Sequence, residues 1–448
     1  MLKTKINTIL LCTLFTLFFP LSAGAQYRNP ILYADVPDMS VCRAGDYFYM
    51  VSTTMHLMPG APIMRSPDMK HWETISYVFP RIDDGPRYDL LEGTAYGQGQ
   101  WASSIRYHDG KFYVWFTANG APGRGFVYTA TDPTGPWKLL SRPPHFHDGS
   151  LLFDDDGRVY LFHSTGQLTE LKTDLTDVLP GGINQQIFER DADEQGLLEG
   201  SSVIKHNGKY YLLMISMDWS IPGRLRREVC YRADKITGPY EKKVILEDNF
   251  AGFPYVGQGC IVDDTKGNWY GMIFQDRGGV GRVATLMPCR WIDGWPILGD
   301  ENGKVPLLME KPVQGCPEKS LVVSDDFSDS KLKLNWQWNH NPDNSLWSVS
   351  ERKGYLRLKT GRIDTDFLSA RNTLTQRTIG PVCSGTTSMD VSDMKEGDFA
   401  GLALLQKKYG WIGVKYENGV KKIVMVSAQT DRPEEVESLP LNQNTVFL

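Results

Sequence analysis

The sequence predicts an all-β protein, a five-bladed β-propeller followed by a β-sandwich. Three observations lead there. A glycine-containing turn opens a short aromatic and aliphatic run five times: GDYFYMVST at Gly45, DGKFYVWFT at Gly110, DGRVYLFHS at Gly157, NGKYYLLMIS at Gly208 and KGNWYGMIF at Gly267. The spacings between these glycines, 65, 47, 51 and 59 residues, suit four-stranded blades with loops of unequal length. Beyond the last repeat, apolar and polar residues alternate between turn signals, as antiparallel sandwich strands do.

Each repeat reads first as a hairpin. Asp-Gly and Asn-Gly supply the positive φ angles of a two-residue turn, and the flanking β-branched and aromatic residues favour strands. A second signature follows in four units: SPDMKHW (66 to 72), TDPTGPW (131 to 137), TDLTD (173 to 177) and ADKITGPY (233 to 240). The fifth unit ends differently, in LMPCRWIDGW (286 to 295).

At 448 residues, 41% hydrophobic and 23% charged, the chain is long enough for two sizeable cores and ordinary in composition. Residues 1–25 carry Lys3 and Lys5, an apolar run from Ile9 to Leu21 and then Ala23-Gly24-Ala25, the pattern of a secretory signal peptide cleaved before Gln26. The run is too short to span a bilayer comfortably. The expectation is a secreted or periplasmic protein with no membrane span after cleavage. Loss of the two lysines takes the formal charge from −5 to −7, which argues against nucleic acid as a partner because phosphate binding needs a basic face. The remaining cysteines, Cys42, Cys230, Cys260, Cys289, Cys316 and Cys383, show no CxxC pair and no metal-ligand spacing. Cys42, Cys230 and Cys260 fall within apparent core strands and read as free thiols behaving as small hydrophobes.

The expected division is a propeller with its linker over 26–319 and a sandwich over 320–448. From Gly294 to about Lys319 the repeat stops and Pro296, Pro306, Pro312 and Pro317 mark a linker over the propeller surface. SDDFSD (324 to 329), LNWQWNHNP (334 to 342), WSVSER (347 to 352), GYLRLKT (354 to 360) and AGLALLQ (400 to 406) then read as strands. The chain stops at Leu448 within strand-forming sequence, so the sandwich looks short.

The strand leading into each turn carries the chemistry. Nine residues before the last four glycines stand Trp101, Asp148, Glu199 and Gln258, and seven before the first stands Asp38. In a five-bladed ring these strand starts converge on a funnel, so Asp38, Asp148 and Glu199 are expected to face one another. A single Asp before a strand is usually a turn or capping residue. Three carboxyls in register are another matter, because they repel, whereas glycoside hydrolysis needs two of them, one protonated and one ionised. Asp154, Asp155 and Asp156 lie at the turn itself and read as solvated.

At these residues the chain resembles glycoside hydrolase family 43, in the branch of exo-acting β-xylosidases and α-L-arabinofuranosidases with an appended β-sandwich. The resemblance is carried by NPILYADVPD (29 to 38), MVSTTMHLMPGAPIMRSPDMKHW (50 to 72), WASSIRYHDGKFYV (101 to 114), HDGSLLFDDDG (147 to 157), LEGSSVIKHNGKYYL (198 to 212) and FQDRGGVGR (274 to 282). It continues with DDFS, WQWNHNP and ARNTLTQRT (370 to 378), and implies that the sandwich is concanavalin A-like.

The resemblance implies a general base at Asp38, a general acid at Glu199, and at Asp148 a carboxylate that orients the acid and raises its pKa by like-charge repulsion. It implies hydrolysis with inversion, releasing terminal α-L-arabinofuranosyl or β-D-xylosyl units from plant-derived oligosaccharides or polysaccharides. Arg282 is implied to bind sugar hydroxyls, with a surface or interblade salt bridge as its alternative. His56 and Trp101 match the wall of the terminal subsite, core packing being the alternative for each. Asp35 either bonds substrate or caps the strand, and Gln258 joins the substrate-binding set from the fifth blade. Relatives place a histidine there, in a Gly-His-Gly setting that helps hold calcium or water at the ring centre. The Gly257-Gln258-Gly259 of this chain offers an amide oxygen but no imidazole. A central calcium is thus in doubt, and paired carboxylates require no cofactor. The rivals are a sugar-binding propeller without catalysis and a five-bladed fructan hydrolase, whose Asn-Asp-Pro-Asn setting VPDMS matches poorly.

Overall fold

Five antiparallel four-stranded sheets stand around one axis in the computed structural model, which describes residues 26–448 apart from 121–122, 224–225, 255, 311–315, 365 and 431. The expected signal peptide, residues 1–25, lies outside the described residues. Each blade is a simple meander whose first strand is innermost: Ser40–Ala44, Gly99–His108, Ser150–Phe153, Leu197–His206 and Val256–Asp263. The five glycine turns join each first strand to the second. Asp109-Gly110 and Asn207-Gly208 take positive φ at both turn positions (47° and 75°, 48° and 77°), the mirror-image turn that suits hairpin twist.

The second strands explain the continuous apolar runs. Successive strand residues point to opposite faces, and in a ring each face meets a neighbouring blade, so both must be apolar. Met50 packs between blades one and five, while Val51, next to it, packs between blades one and two. Trp115 and Phe116, Leu161 and Phe162, and Leu212 and Leu213 divide in the same way among the interblade cores. Cys230 and Cys260 are buried in these layers, and Cys42 is half-buried beside them.

The fifth blade takes in sequence that reads as linker. Trp295–Leu298 is its outer strand, paired with Cys289–Ile292, because Trp295 and Leu298 bury against Tyr211 and Ile245 of blade four. Leu308–Glu310 then pairs with Gln26–Arg28 and ties the two ends of the propeller together. Asn29 completes the closure: its side chain donates to Leu286 O (2.7 Å) and Pro306 O (2.8 Å) and accepts from Leu286 N (2.9 Å). From there Leu32 bridges Ala284 and Val36 N donates to Arg282 O (2.8 Å), which brings Asp38 beside Arg282. Asp154 is also not solvated: it is buried, accepts from Tyr210 Oη (2.6 Å) and pairs with Lys205, while Asp155 and Asp156 are exposed. The packing of blade four over the turn makes the difference.

The second domain carries a four-stranded sheet, Phe399–Leu404, Gly410–Glu417, Val420–Ser427 and Glu434–Pro440, over small cores around Trp411, Val424 and Val414. SDDFSD forms no strand. Its Asp side chains instead accept backbone N–H groups of Phe327 and Ser328, and such local bonds compete with a ladder. The WQWNHNP stretch lies at the junction of the two domains. Gln337–Asn339 pairs with both Leu57–Met58 of blade one and Leu374–Thr375. Asn341 donates to Ile82 O (2.8 Å) and accepts from Ile82 N (3.2 Å).

Candidate active site

The starts of the five inner strands close the axis. Asp38 to Ser40, Ala102 to Ser104, Asp148 to Ser150, Gly200 to Ser202 and Gln258-Gly259 line a cavity of about 20 Å³, space on the order of one water molecule. Residues after each lead position are small, Met39 apart, because five strands crowd there. Gly200 shows the limit: a Cβ would lie 2.4 Å from Gln258 Cδ, and φ is 77°.

Asp38 and Asp148 share a left-handed backbone, with φ of 50° and 49°, a conformation Asp tolerates better than most residues. Asp38 is gripped from two sides. Arg282 Nη1 donates to Oδ1 (2.5 Å) and Thr53 Oγ1 to Oδ2 (2.7 Å). Arg282 is itself held by Asp276 Oδ1 through Nε (3.2 Å) and lies over the Phe274 ring at 4.6 Å. Asp276 also pairs with Arg226 (3.0 Å).

Asp35 supports this arginine. Its Oδ1 accepts the Arg282 backbone N–H (2.7 Å), and its main chain accepts from Arg377 of the second domain. Gly281 allows that approach, since a Cβ would stand 2.1 Å from Asp35 Oδ1. Burial pushes the Asp35 carboxyl up to about 6, against the pull of Arg282 and Arg377.

Asp148 is only 7% exposed, and its Oδ2 accepts Gly200 N–H (3.0 Å). Burial pushes its carboxyl up to about 7; Glu199 and Asp38 add to this, while His147 and the Gly200 amide oppose it. Glu199 goes the other way. His147 Nε2 stands 3.5 Å from Glu199 Oε2 and 3.6 Å from Asp148 Oδ2, and its contact holds the Glu199 carboxyl below the usual range despite burial. This corrects the expectation that Asp148 raises the pKa of Glu199. The buried Asp148 takes the upward shift, and the more open Glu199 keeps the imidazole.

Trp101 donates from Nε1 to Gly97 O (3.0 Å), with its ring centre 6.1 Å from that of His147, so it stands at the funnel. His56 does not present a face there. It is 5% exposed, accepts Gly97 N–H at Nδ1 (3.1 Å) and contacts Asn339 Oδ1 through Nε2 (3.0 Å). Core packing with the second domain describes it. Burial lowers its pKa to about 4. Gln258 lines the cavity beneath the carboxyls. Sequence reading passed over His147, although it stands next to Asp148 in HDGSLL, and Thr53, in the STT run beside His56.

The cavity donors are serine hydroxyls, one amide and the Asp38 and Asp148 carboxyls. These are oxygen groups of the class that calcium takes six to eight at a time, around a cavity with room for about one water-sized sphere. Among the described residues, the groupings Asp68–His71–Cys316 and Asp191–Asp193–Glu194, which could also hold a metal, lie outside the funnel. Asp68 accepts from Lys70 N, His71 N and His71 Nδ1, and Asp193 and Glu194 are engaged by Arg227, Lys242 and Tyr231.

The sequence profile of the glycosyl hydrolases family 43 matches residues 27–296. The chain belongs to glycoside hydrolase family 43. A second profile, the beta xylosidase C-terminal concanavalin A-like domain, matches residues 324–448. A putative beta-xylosidase of Xylanibacter ruminicola is 33% identical over 406 residues, 87% of this chain and 72% of the relative. A non-reducing end alpha-L-arabinofuranosidase of Bacteroides ovatus is 31% identical over 75% of this chain and 65% of its own length. Among solved structures, a bifunctional GH43-CE protein of Bacteroides eggerthii superimposes with a TM-score of 0.87 at 47% identity over 95% of this chain; this chain spans 55% of that protein. Membership in the family makes the protein a glycosidase with a carbohydrate substrate. Among the described residues no helix is long and apolar enough to cross a membrane.

Proposed function

We propose that the protein is an inverting exo-glycoside hydrolase, exported from the cell, that releases terminal α-L-arabinofuranosyl or β-D-xylosyl residues from plant cell-wall oligosaccharides or polysaccharides. The observation that carries this reading is the meeting of Asp38, Asp148 and Glu199 from three segments at one end of the axis, with Arg282 and Thr53 gripping Asp38. Asp38, held at both oxygens, takes the proton of the attacking water. Glu199, half-open to the funnel, protonates the leaving oxygen. Asp148 steadies the acid by receiving the N–H of the next residue, Gly200. Attack at a chain end is supported by the printed name of one relative, a non-reducing end alpha-L-arabinofuranosidase.

The two pentoses stay together because relatives of both printed activities match this chain at similar identity. The test is a parallel assay on 4-nitrophenyl α-L-arabinofuranoside and β-D-xyloside, with Asp38→Ala as control. Hydrolysis of one or both is expected, with the variant reduced by at least about 10² as loss of a general base requires. A folded wild-type protein inactive on both, or an Asp38→Ala variant keeping more than about a tenth of the activity, contradicts the reading. For export, detection of a mature chain beginning at Gln26 outside the cytoplasm is expected; retention of residues 1–25 in the cytoplasm contradicts it.

A further inference from the structure

We propose that His147 is a positioning residue of the acid, a cation shared by Glu199 and Asp148 that lets one proton pass between the two carboxyls without changing the net charge of the site. The inference rests on the reading of Glu199 as general acid. Its basis is geometric: one nitrogen, Nε2, lies 3.5 Å from Glu199 Oε2 and 3.6 Å from Asp148 Oδ2. The charged and titratable groups that act on it are His145 and Asp148 on its own segment, Glu199 on blade four and Asp38 before blade one, while Arg226 and Arg282 act on its partner Glu199. Trp101 of blade two lies beside the ring.

In the free site the imidazolium pairs with the Glu199 carboxylate, and Asp148 holds its own proton. When a sugar covers Glu199, Nε2 gives its proton to Glu199 Oε2 and takes that of Asp148 Oδ2. The imidazolium then faces the Asp148 carboxylate, which keeps the Gly200 N–H, and Glu199 stands protonated. Proton count and charge are unchanged. As the glycosidic C–O bond breaks, its electron pair leaves with the oxygen and Glu199 protonates it. The imidazolium then passes its Nε2 proton to Asp148 Oδ2 and takes one from solvent, in exchange for the proton that Asp38 releases after attack, which restores the free site; the His147 side chain is 35% exposed.

The experiment is His147→Gln in the full chain. Without the cation the two carboxyls hold their shared proton more tightly, so the alkaline limb of kcat/KM should move upward by about half a pH unit or more. Hydrolysis of pentose oligosaccharides should fall by roughly tenfold or more, and that of the activated aryl glycoside by less than about threefold. Equal losses on both substrates, or an unmoved limb, overturn the proposal, since a merely structural role scales all rates alike. An NMR titration of the His147 ring in wild type and in Glu199→Gln tests the pairing without any turnover. A lower pKa in the variant is expected, and an unchanged one overturns the proposal even if the protein hydrolyses pentosides.

Discussion

Arg282 Nη1 donates to Asp38 Oδ1 over 2.5 Å while its Nε reaches Asp276, so one guanidinium spans two carboxylates in a fixed fork. Lysine offers a point charge and cannot hold both directions. Arg282→Lys is therefore expected to lower kcat/KM by about 10- to 100-fold, the worth of a charge-assisted bond of roughly 1.5–3 kcal/mol. Steady-state kinetics on the better aryl pentoside checks this, and a loss below about threefold contradicts the grip on Asp38.

Glu199→Ala separates substrates by leaving group. A 4-nitrophenolate departs with little protonation, whereas a sugar alkoxide needs the acid. Activity on oligosaccharides is expected to fall by about 10² to 10⁴, and on the aryl glycoside by much less. Equal losses on the two substrates count against Glu199 as the acid.

Asp148 makes stability depend on pH. Its folded pKa of about 7 lies above the ordinary 3.8, so the folded state keeps a proton that the unfolded state gives up. The benefit is complete below about pH 4 and is lost as pH rises through 7. Asp148→Asn lacks this loss, and Asn accepts the left-handed backbone. The variant's thermal midpoint relative to wild type is expected to rise between pH 4 and pH 8. The gain is roughly 1–3 kcal/mol, at about 1.4 kcal/mol per pK unit less what coupling to His147 and Glu199 removes. A difference that does not vary with pH contradicts it.

Asn339 joins the two domains through one oxygen, which meets His56 Nε2 at 3.0 Å and His340 Nδ1 at 3.1 Å. The opposite nitrogens of both rings accept backbone N–H groups, Gly97 for His56 and Ala95 for His340, so both rings donate to Asn339. Asn339→Ala orphans two buried donors and is expected to cost about 1–3 kcal/mol for each one left unpaired. Gly97 also holds Trp101, so KM should rise as well. Calorimetry and kinetics on the same preparation check both. Unaltered stability contradicts the role given to this junction.

The blades were legible because their signal is local: an Asp-Gly or Asn-Gly turn announces itself by the φ it needs, and a strand covered on both faces reads as an unbroken apolar run. Register from those turns was enough to bring Asp38, Asp148 and Glu199 to one funnel. What the sequence hid depends on contacts between blades or domains. His147 acquires its partner only when blade four is set beside blade three, and the burial of Asp154 needs Lys205 and Tyr210 of that same blade. His56 looks like a subsite wall until Asn339 arrives from almost three hundred residues away. The direction of the Glu199 shift was missed for the same reason, since like-charge repulsion was weighed without the imidazole between the two carboxyls.

The anomeric form of the first sugar released tests the roles of Asp38 and Glu199 together. If Asp38 activates water and no carboxylate attacks the sugar, proton NMR of early product, recorded before mutarotation, is expected to show the configuration opposite to that of the substrate. Retention would mean a covalent glycosyl-enzyme formed by a carboxylate nucleophile, and it would contradict the assignment of Asp38 as the base.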